Sequence, residues 1–285
     1  MASTEPLTNS DYIAHHLRQF ASAPQTGLFD PSVVHYDTVA FSLLTAVAVL
    51  VVLRLAAKRA TAGVPGRFQA LVEWLVEMVD EQAKSVVAVD RSYAAPLALT
   101  VFCWVVLMNA IDLLPVDLIP RVASGFGVDH VRPLATADLN APLGMAVAVL
   151  VLSLYYGIRI KGLVGFIKDL FVAPFGRAHL SWNPLSWAGA LLLAIANFGM
   201  NIIEYVSKTF SMGMRLYGNM YAGELLFFLI ALLGGTVTVF GISLHLLTGF
   251  VWAAFHILII VLQAFIFMML TLVYIGQAQE SHAPH

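Results

Sequence analysis

Five apolar runs, near residues 39–57, 95–116, 141–158, 197–233 and 245–275, decide what this chain can become. The first three are about as long as a helix of ~20 residues crossing the hydrocarbon core of a bilayer, and the last two are longer. A backbone immersed there has to satisfy its own hydrogen bonds, which leaves helices or closed barrels. Unbroken runs without strict alternation favour helices. The last two exceed a single crossing and are expected to tilt or to run partly along the membrane. The expected fold is an all-α polytopic membrane protein, with about five membrane helices and one surface helix. An external segment, 1–38, precedes a single membrane domain, 39–285. Composition agrees, since 60% of residues are hydrophobic, 11% are charged and the mean hydropathy is +0.84, far from a soluble domain.

Several functions are excluded or unsupported. A formal charge of -2 gives no footing for nucleic acid. No glycine-rich phosphate loop is present, so no nucleotide site and no enzymatic centre or cofactor is expected. The single cysteine, Cys103, allows no internal disulfide. His15 and His16 have no acidic or cysteine partner at ligand spacing, so no metal site is expected. The opening "MASTEPLTNSDYIAHHLRQF" has no basic stretch leading into an apolar one and does not read as a cleaved signal peptide.

Basic residues set the orientation. Arg54, Lys58, Arg59, Arg67, Lys84 and Arg91 follow the first run, and Arg159, Lys161, Lys168 and Arg177 follow the third. Only Arg18, Arg121 and Arg132 fall on the other side. This bias places the N-terminus outside and the C-terminus in the cytoplasm. Between the first two runs, "GRFQALVEWLVEMVDEQAKSVV" puts Gln69, Glu73, Glu77, Asp80, Glu81 and Lys84 on one helical face. Phe68, Leu71, Val72, Leu75 and Val79 occupy another, which describes an amphipathic helix at the cytoplasmic surface. Its acidic face is a poor match for anionic lipid and is either simply solvated or meets a partner.

The fourth run carries Glu204, Lys208, Arg215, Asn219 and Glu224. On a wheel of ~100° per residue, Glu204, Lys208, Ser211, Gly218, Asn219 and Ala222 lie within about 60° of Arg215, and Glu224 lies opposite. Glu204 and Lys208 suit an i, i+4 ion pair. Arg215 has no acid three or four residues away, and an arginine in the body of a membrane helix marks an ion path or a protein contact. Asn197 and Asn201, one turn apart, suit helix packing.

In the fifth run, His256 and Gln263 share a face. If the last two helices form a symmetric hairpin, residues at equal depth have numbers of constant sum. Arg215 with Gln263 gives 478, and Glu224 with His256 gives 480. Two polar layers are therefore expected, ~13 Å apart along the fourth helix. Glu224 and His256 can exchange protons. Arg215 and Gln263 cannot titrate, so the sequence suggests a proton path that is interrupted. A self-contained secondary transporter would instead be expected to show related halves with broken helices. An inert scaffold would have no use for an unpaired arginine. Asp112 and Asp117, beside Pro115 and Pro120, suit either solvated helix ends or such a path.

The stretches "MRLYGNMYAGEL", "FHILIIVLQAFIFMMLTLVYI", "MNAIDLLPVDLIP" and "GVPGRFQALVE" closely resemble subunit a of bacterial F-type ATP synthases, over nearly the whole chain. The resemblance implies that Arg215 is the essential stator arginine facing the carboxylates of a rotating c-ring. It implies that Asn219, Glu224, His256 and Gln263 line or support two offset proton half-channels, and that Asn109, Asp112, Asp117 and Asp37 belong to the outer entrance. Glu204 is a candidate for the inner half-channel. Arg132, Asp138 and Asn140 fit the family's polar external loop. The implied partners are the c-ring, the b subunits of the peripheral stalk and the lipid of a bacterial inner membrane.

Overall fold

A computed structural model describes residues 13, 16–23, 32–87, 91–128, 130–176, 184–234 and 238–279. Of the expected external segment, His15 and most of the first 31 residues lie outside the described residues, as does Arg177. Helices are α1 (Tyr36–Arg59), α2 (Arg67–Val86), α3 (Ala94–Ala110), α4 (Leu118–Ser124), α5 (Asn140–Val172), α6 (Pro184–Leu233) and α7 (Val239–Gln279). A 3-10 turn, Ile111–Leu113, extends α3, and another, Ala135–Ala137, precedes α5. Pro96, Pro120 and Pro142 fall in the first turns of α3, α4 and α5, where a missing N–H costs no helical bond. Among the described residues, β structure is limited to one isolated bridge between Ala21 and His35.

Among the described residues, five helices are long and apolar enough to cross a membrane: α1, α3 with its 3-10 turn, α5, α6 from Ser186, and α7. Only 17% of the most apolar window of α1 is buried, rising to 39% in α7. Leu43, Leu44 and Leu50 on α1, Leu191 and Leu192 on α6, and Leu246 and Phe250 on α7 all face outward. Exposed apolar surface on this scale is tolerable in lipid and not in water. The amphipathic α2 forms as expected, with Val79 and Ala83 buried and Glu73, Glu77 and Glu81 exposed.

The chain divides into two compact units assembled from interleaved segments. One comprises Met1–Val72, Thr100–Ala141 and Arg215–Ile266, and the other Glu73–Leu99, Pro142–Met214 and Phe267–His285. In the first, the indole N–H of Trp104 ties α3 to α1 by donating to the Ser42 carbonyl at 3.0 Å and to Thr45 Oγ1 at 3.2 Å. In the second, small residues let helices close up. A Cβ on Gly276 would stand 2.8 Å from the Val86 carbonyl oxygen, and one on Gly213 would stand 3.0 Å from Leu143 Cα.

The third membrane helix outruns its expected end at residue 158, and it is not straight. Gly162, at φ 72° and ψ 159°, breaks α5 within its span, a conformation open to glycine because it lacks a Cβ. Beyond it the chain folds back: Lys161 pairs with Asp169 at 3.0 Å, and Phe166 lies against Gly157. In an uninterrupted helix residues nine apart would be ~13 Å apart. The returning limb ends in carbonyls that Asn197 and Asn201 collect. Asn197 Nδ2 donates to the carbonyls of Phe171 and Val172 at 3.0 and 3.1 Å, and its Oδ1 accepts the Phe175 N–H at 3.1 Å. Asn201 Nδ2 donates to Leu170 and Ala173 at 3.0 and 2.8 Å. The two asparagines do serve helix packing, and they do so by capping a helix end. Asn197→Ala is expected to destabilise this unit by about 1–3 kcal/mol, because several part-buried backbone groups lose their partner. A lower thermal denaturation midpoint of the detergent-purified protein would register it, and an unchanged midpoint would refute it.

Helices α6 and α7 form the expected hairpin. Gly223 lies against His256, Phe227 against Trp252, and Gly234 against His245, and each of these pairs adds to 479. The fourth apolar run and α6 end together at Leu233, whereas α7 begins at Val239, ahead of the fifth run.

Candidate functional site

Arg215 sits in the body of α6 with an exposed side chain. Gly218, Asn219 and Ala222, its neighbours on the wheel, are exposed with it. Among the described residues, no hydrogen bond or ion pair reaches its guanidinium. Gln263 is 6% exposed and is not bonded to Arg215 either, so shared depth does not become contact. The result is a narrow strip of small residues around one permanent charge.

Farther along α6, toward the hairpin turn, the acid and the imidazole expected to face each other do not. Glu224 points to Arg132. Arg132 Nε donates to both carboxylate oxygens, at 3.1 and 3.2 Å, and Nη2 donates to Oε2. Both residues are 6% exposed. The loop that delivers Arg132 is a run of core-like packing, with Leu134, Ala135, Thr136, Ala137 and Asp138 all buried. The polar stretch of this external loop is thus packed against the rest of its unit. Asp37 holds the loop in place by accepting the Arg132 backbone N–H at 3.1 Å and that of Phe20 at 2.9 Å. Asp138 completes the attachment, lying 2.7 Å from His35 Nδ1 and accepting Thr38 Oγ1 at 2.7 Å. Asp37 and Asp138 thus organise backbone and loop rather than line open space.

Burial alone would lower the affinity of Arg132 for its proton. The hydrogen bonds and charge of Glu224, with Tyr221 and Asp138 behind, more than offset this and hold the guanidinium above its ordinary pKa. The side chain also lies over the Tyr221 ring at 5.5 Å. Stranding either charge of such a buried pair costs roughly 3–5 kcal/mol.

His256 is fully buried and meets a different acid. Its Nε2 comes within 2.8 Å of Asp112 Oδ2, but without the direction of a hydrogen bond. Both imidazole nitrogens, Asp112 Oδ2, and the amide nitrogen and oxygen of Asn109 have no protein hydrogen-bond partner. Buried polar atoms of this kind are ordinarily served by water. Gly223 makes room for the ring, since a Cβ there would overlap the imidazole. Phe227 and Trp252 frame it at 5.1 and 5.8 Å between centroids. Asp112 is therefore not a solvated helix end, its side chain being 8% exposed. Asp117, 45% exposed, pairs with His16 at 3.1 Å. A cavity of about 40 Å³ touches His16, Asp112, Arg132 and Glu224, enough for about two or three waters.

In the other unit, Glu204 and Lys208 form the expected i, i+4 pair at 2.5 Å, and Lys208 also donates to Gln277 at 2.8 Å. They border a cavity of about 310 Å³ with Lys161, Asp169 and Tyr274. No spacing in the sequence signals the partnerships of Arg132 with Glu224 or of Lys161 with Asp169. The first spans 92 residues, and the second depends on the break at Gly162. Among the described residues, no cluster of three or more potential metal ligands occurs.

Comparison with known proteins agrees with the motifs. The family model described as ATP synthase A chain matches residues 39–276. ATP synthase subunit a of Acidovorax sp. (strain JS42) is 54% identical, and that of Paracidovorax citrulli 52%, each over 99% of both chains. The subunit a of Mannheimia succiniciproducens is 45% identical over 95% of this chain and 96% of its own. With motifs, helices and relatives in accord, this chain belongs to the ATP synthase A chain family.

Proposed function

We propose that the chain is the proton-conducting stator subunit of a membrane-embedded ATP synthase sector, working against a ring of small rotating subunits. The observation that carries this reading is Arg215, exposed and unbonded on a strip of small residues in a membrane helix. Lipid solvates a guanidinium poorly, whereas a carboxylate on a neighbouring membrane helix would complete it. Near Arg215 such an acid is drawn to its anionic form and releases its proton. Direct passage is blocked, because Arg215 repels a cation and has no vacancy to fill.

Access to the two sides of Arg215 is separate. Asp37, Asn109, Asp112, Asp117, Glu224 and His256 form the outer half-channel and its scaffold, and Asn219 and Gln263 adjoin Arg215. Glu204 belongs to the inner half-channel. The chain lies in a bacterial inner membrane with its N-terminus outside and its C-terminus in the cytoplasm, and it carries no nucleotide chemistry of its own. The acidic face of α2 receives a basic stretch of the peripheral stalk.

Cysteine crosslinking in the intact complex, with Cys103 first replaced, tests both contacts. Asn219→Cys is expected to crosslink to a ring subunit, and Glu77→Cys to the stalk. Labelling of Asn219→Cys by lipid-phase reagents alone would overturn the stator reading. Labelling of Glu77→Cys by solvent alone would leave α2 merely solvated.

A further inference from the structure

We propose that Asp112, rather than Glu224, exchanges protons with His256, and that Arg132 is a positioning residue that keeps Glu224 a fixed anion. This rests on the proton-conducting reading above and assigns roles within it.

The geometry separates the two acids. Glu224 is engaged through both oxygens by a guanidinium that cannot shed its proton. Protonating Glu224 would strand Arg132 in a buried place. Arg132 has no easy way to follow a moving partner, for its backbone N–H is held by Asp37 and its side chain lies over Tyr221. Asp112 has one oxygen without any hydrogen-bond partner, 2.8 Å from an imidazole whose two nitrogens are equally unserved. A carboxyl oxygen and an imidazole nitrogen 2.8 Å apart, neither engaged by another protein group, need only a small turn to form the hydrogen bond along which a proton passes.

The charged and titratable groups around this pair come from several elements. Asp112 faces His256 on α7 and Arg132 on the loop, and it feels the charge of Glu224 on α6. His16, from the N-terminal segment, lines the same cavity and acts on Glu224. Arg132 and Glu224 cancel as a pair, so Asp112 can alternate between charged and neutral beside a nearly constant field. The transfer balances: protonated Asp112 gives its proton to a neutral His256 nitrogen, leaving carboxylate and imidazolium. The carboxylate is reprotonated by a hydronium ion arriving from the outer side, which leaves neutral water. The imidazolium passes its own toward the ring carboxylate and returns to neutral.

The test uses the assembled complex in inverted vesicles, measuring passive proton conduction after the soluble sector is stripped, across pH, and ATP-driven pumping beside it. Asp112→Asn is expected to lower conduction at least tenfold and to flatten its pH profile. Glu224→Gln alone is expected to lower conduction through the stranded Arg132. The double variant Arg132→Gln with Glu224→Gln is expected to recover to within several-fold of the unaltered protein, with the pH midpoint kept. Arg132→Lys, which retains the charge, should keep that midpoint too. If Asp112→Asn does not assemble, Asp112→Glu and the double variant still decide the question. A double variant no better than Glu224→Gln, with its pH midpoint lost, makes Glu224 the proton carrier and overturns the proposal. Unaltered vesicles that conduct no protons would sink the stator reading and this inference together, whereas conduction with the reversed mutant pattern sinks the inference alone.

Discussion

Replacing Arg215 with alanine is expected to reduce proton-driven ATP synthesis by about 100-fold or more while the complex still assembles. At ~4 Å and an effective dielectric near 20, a guanidinium attracts a carboxylate by ~4 kcal/mol before desolvation is counted. Lys208, the other cation on that helical face, is already paired with Glu204. Assembly should survive, because the side chain is exposed and nothing in the fold leans on it. A passive leak is expected beside the loss of synthesis, since in the proposed stator role Arg215 is the charge that bars direct passage. Arg215→Lys should also fail, because an ammonium is a point donor without the planar fork and can lose its proton when desolvated. Synthesis measured in inverted vesicles decides the matter, and near-normal rates in either variant would contradict the stator role.

The second large effect is expected at a residue without a side chain. Gly223 gives His256 its space, and the ring is fully buried between Phe227, Trp252 and the α6 backbone. Gly223→Val should push the imidazole away from Asp112 and lower conduction by tens of fold, because overpacking in a filled interior costs about 1–3 kcal/mol and here also parts the two groups proposed to exchange protons. Conduction should partly return when a smaller residue replaces His256 in the same chain only if space, not the imidazole itself, limits transfer. On the assignment of Asp112 and His256 as proton partners, it should stay low. Equal assembly of single and double variants, checked by co-isolation, makes the comparison readable, and full conduction in Gly223→Val would refute the packing argument.

What could be read from the sequence followed from periodicity and length. The five membrane helices, the acidic face of α2 and the depth relation between α6 and α7 are all properties of regular helices, and the facing pairs at 479 fall between the sums of 478 and 480 read from the sequence. Depth, however, does not give direction. Glu224 and His256 lie at one level, but opposite Arg215 on the wheel Glu224 faces a loop rather than α7. Its partner is 92 positions away on a segment without periodicity. Asp112 could not be told from a solvated helix end, because what buries it is α7, far along the chain. The fold-back at Gly162 was equally hidden, since a glycine in an apolar helix is tolerated as often as it breaks one.

The loop from Arg132 to Asp138 has a consequence for anyone altering this protein. Surface connections usually accept insertions, and exposed tips are where epitopes and reporters are placed. Gly127, with φ 81° and nothing near it, is such a tip. A few residues later the chain carries the counter-charge of a membrane carboxylate and is pinned by two buried aspartates. A tag spliced after Gly127 leaves that anchorage outside the insertion, whereas the same tag spliced after Pro133 would pull Arg132 out of register with Glu224. The stretch is a connection by topology, but its tolerance to engineering is that of the core.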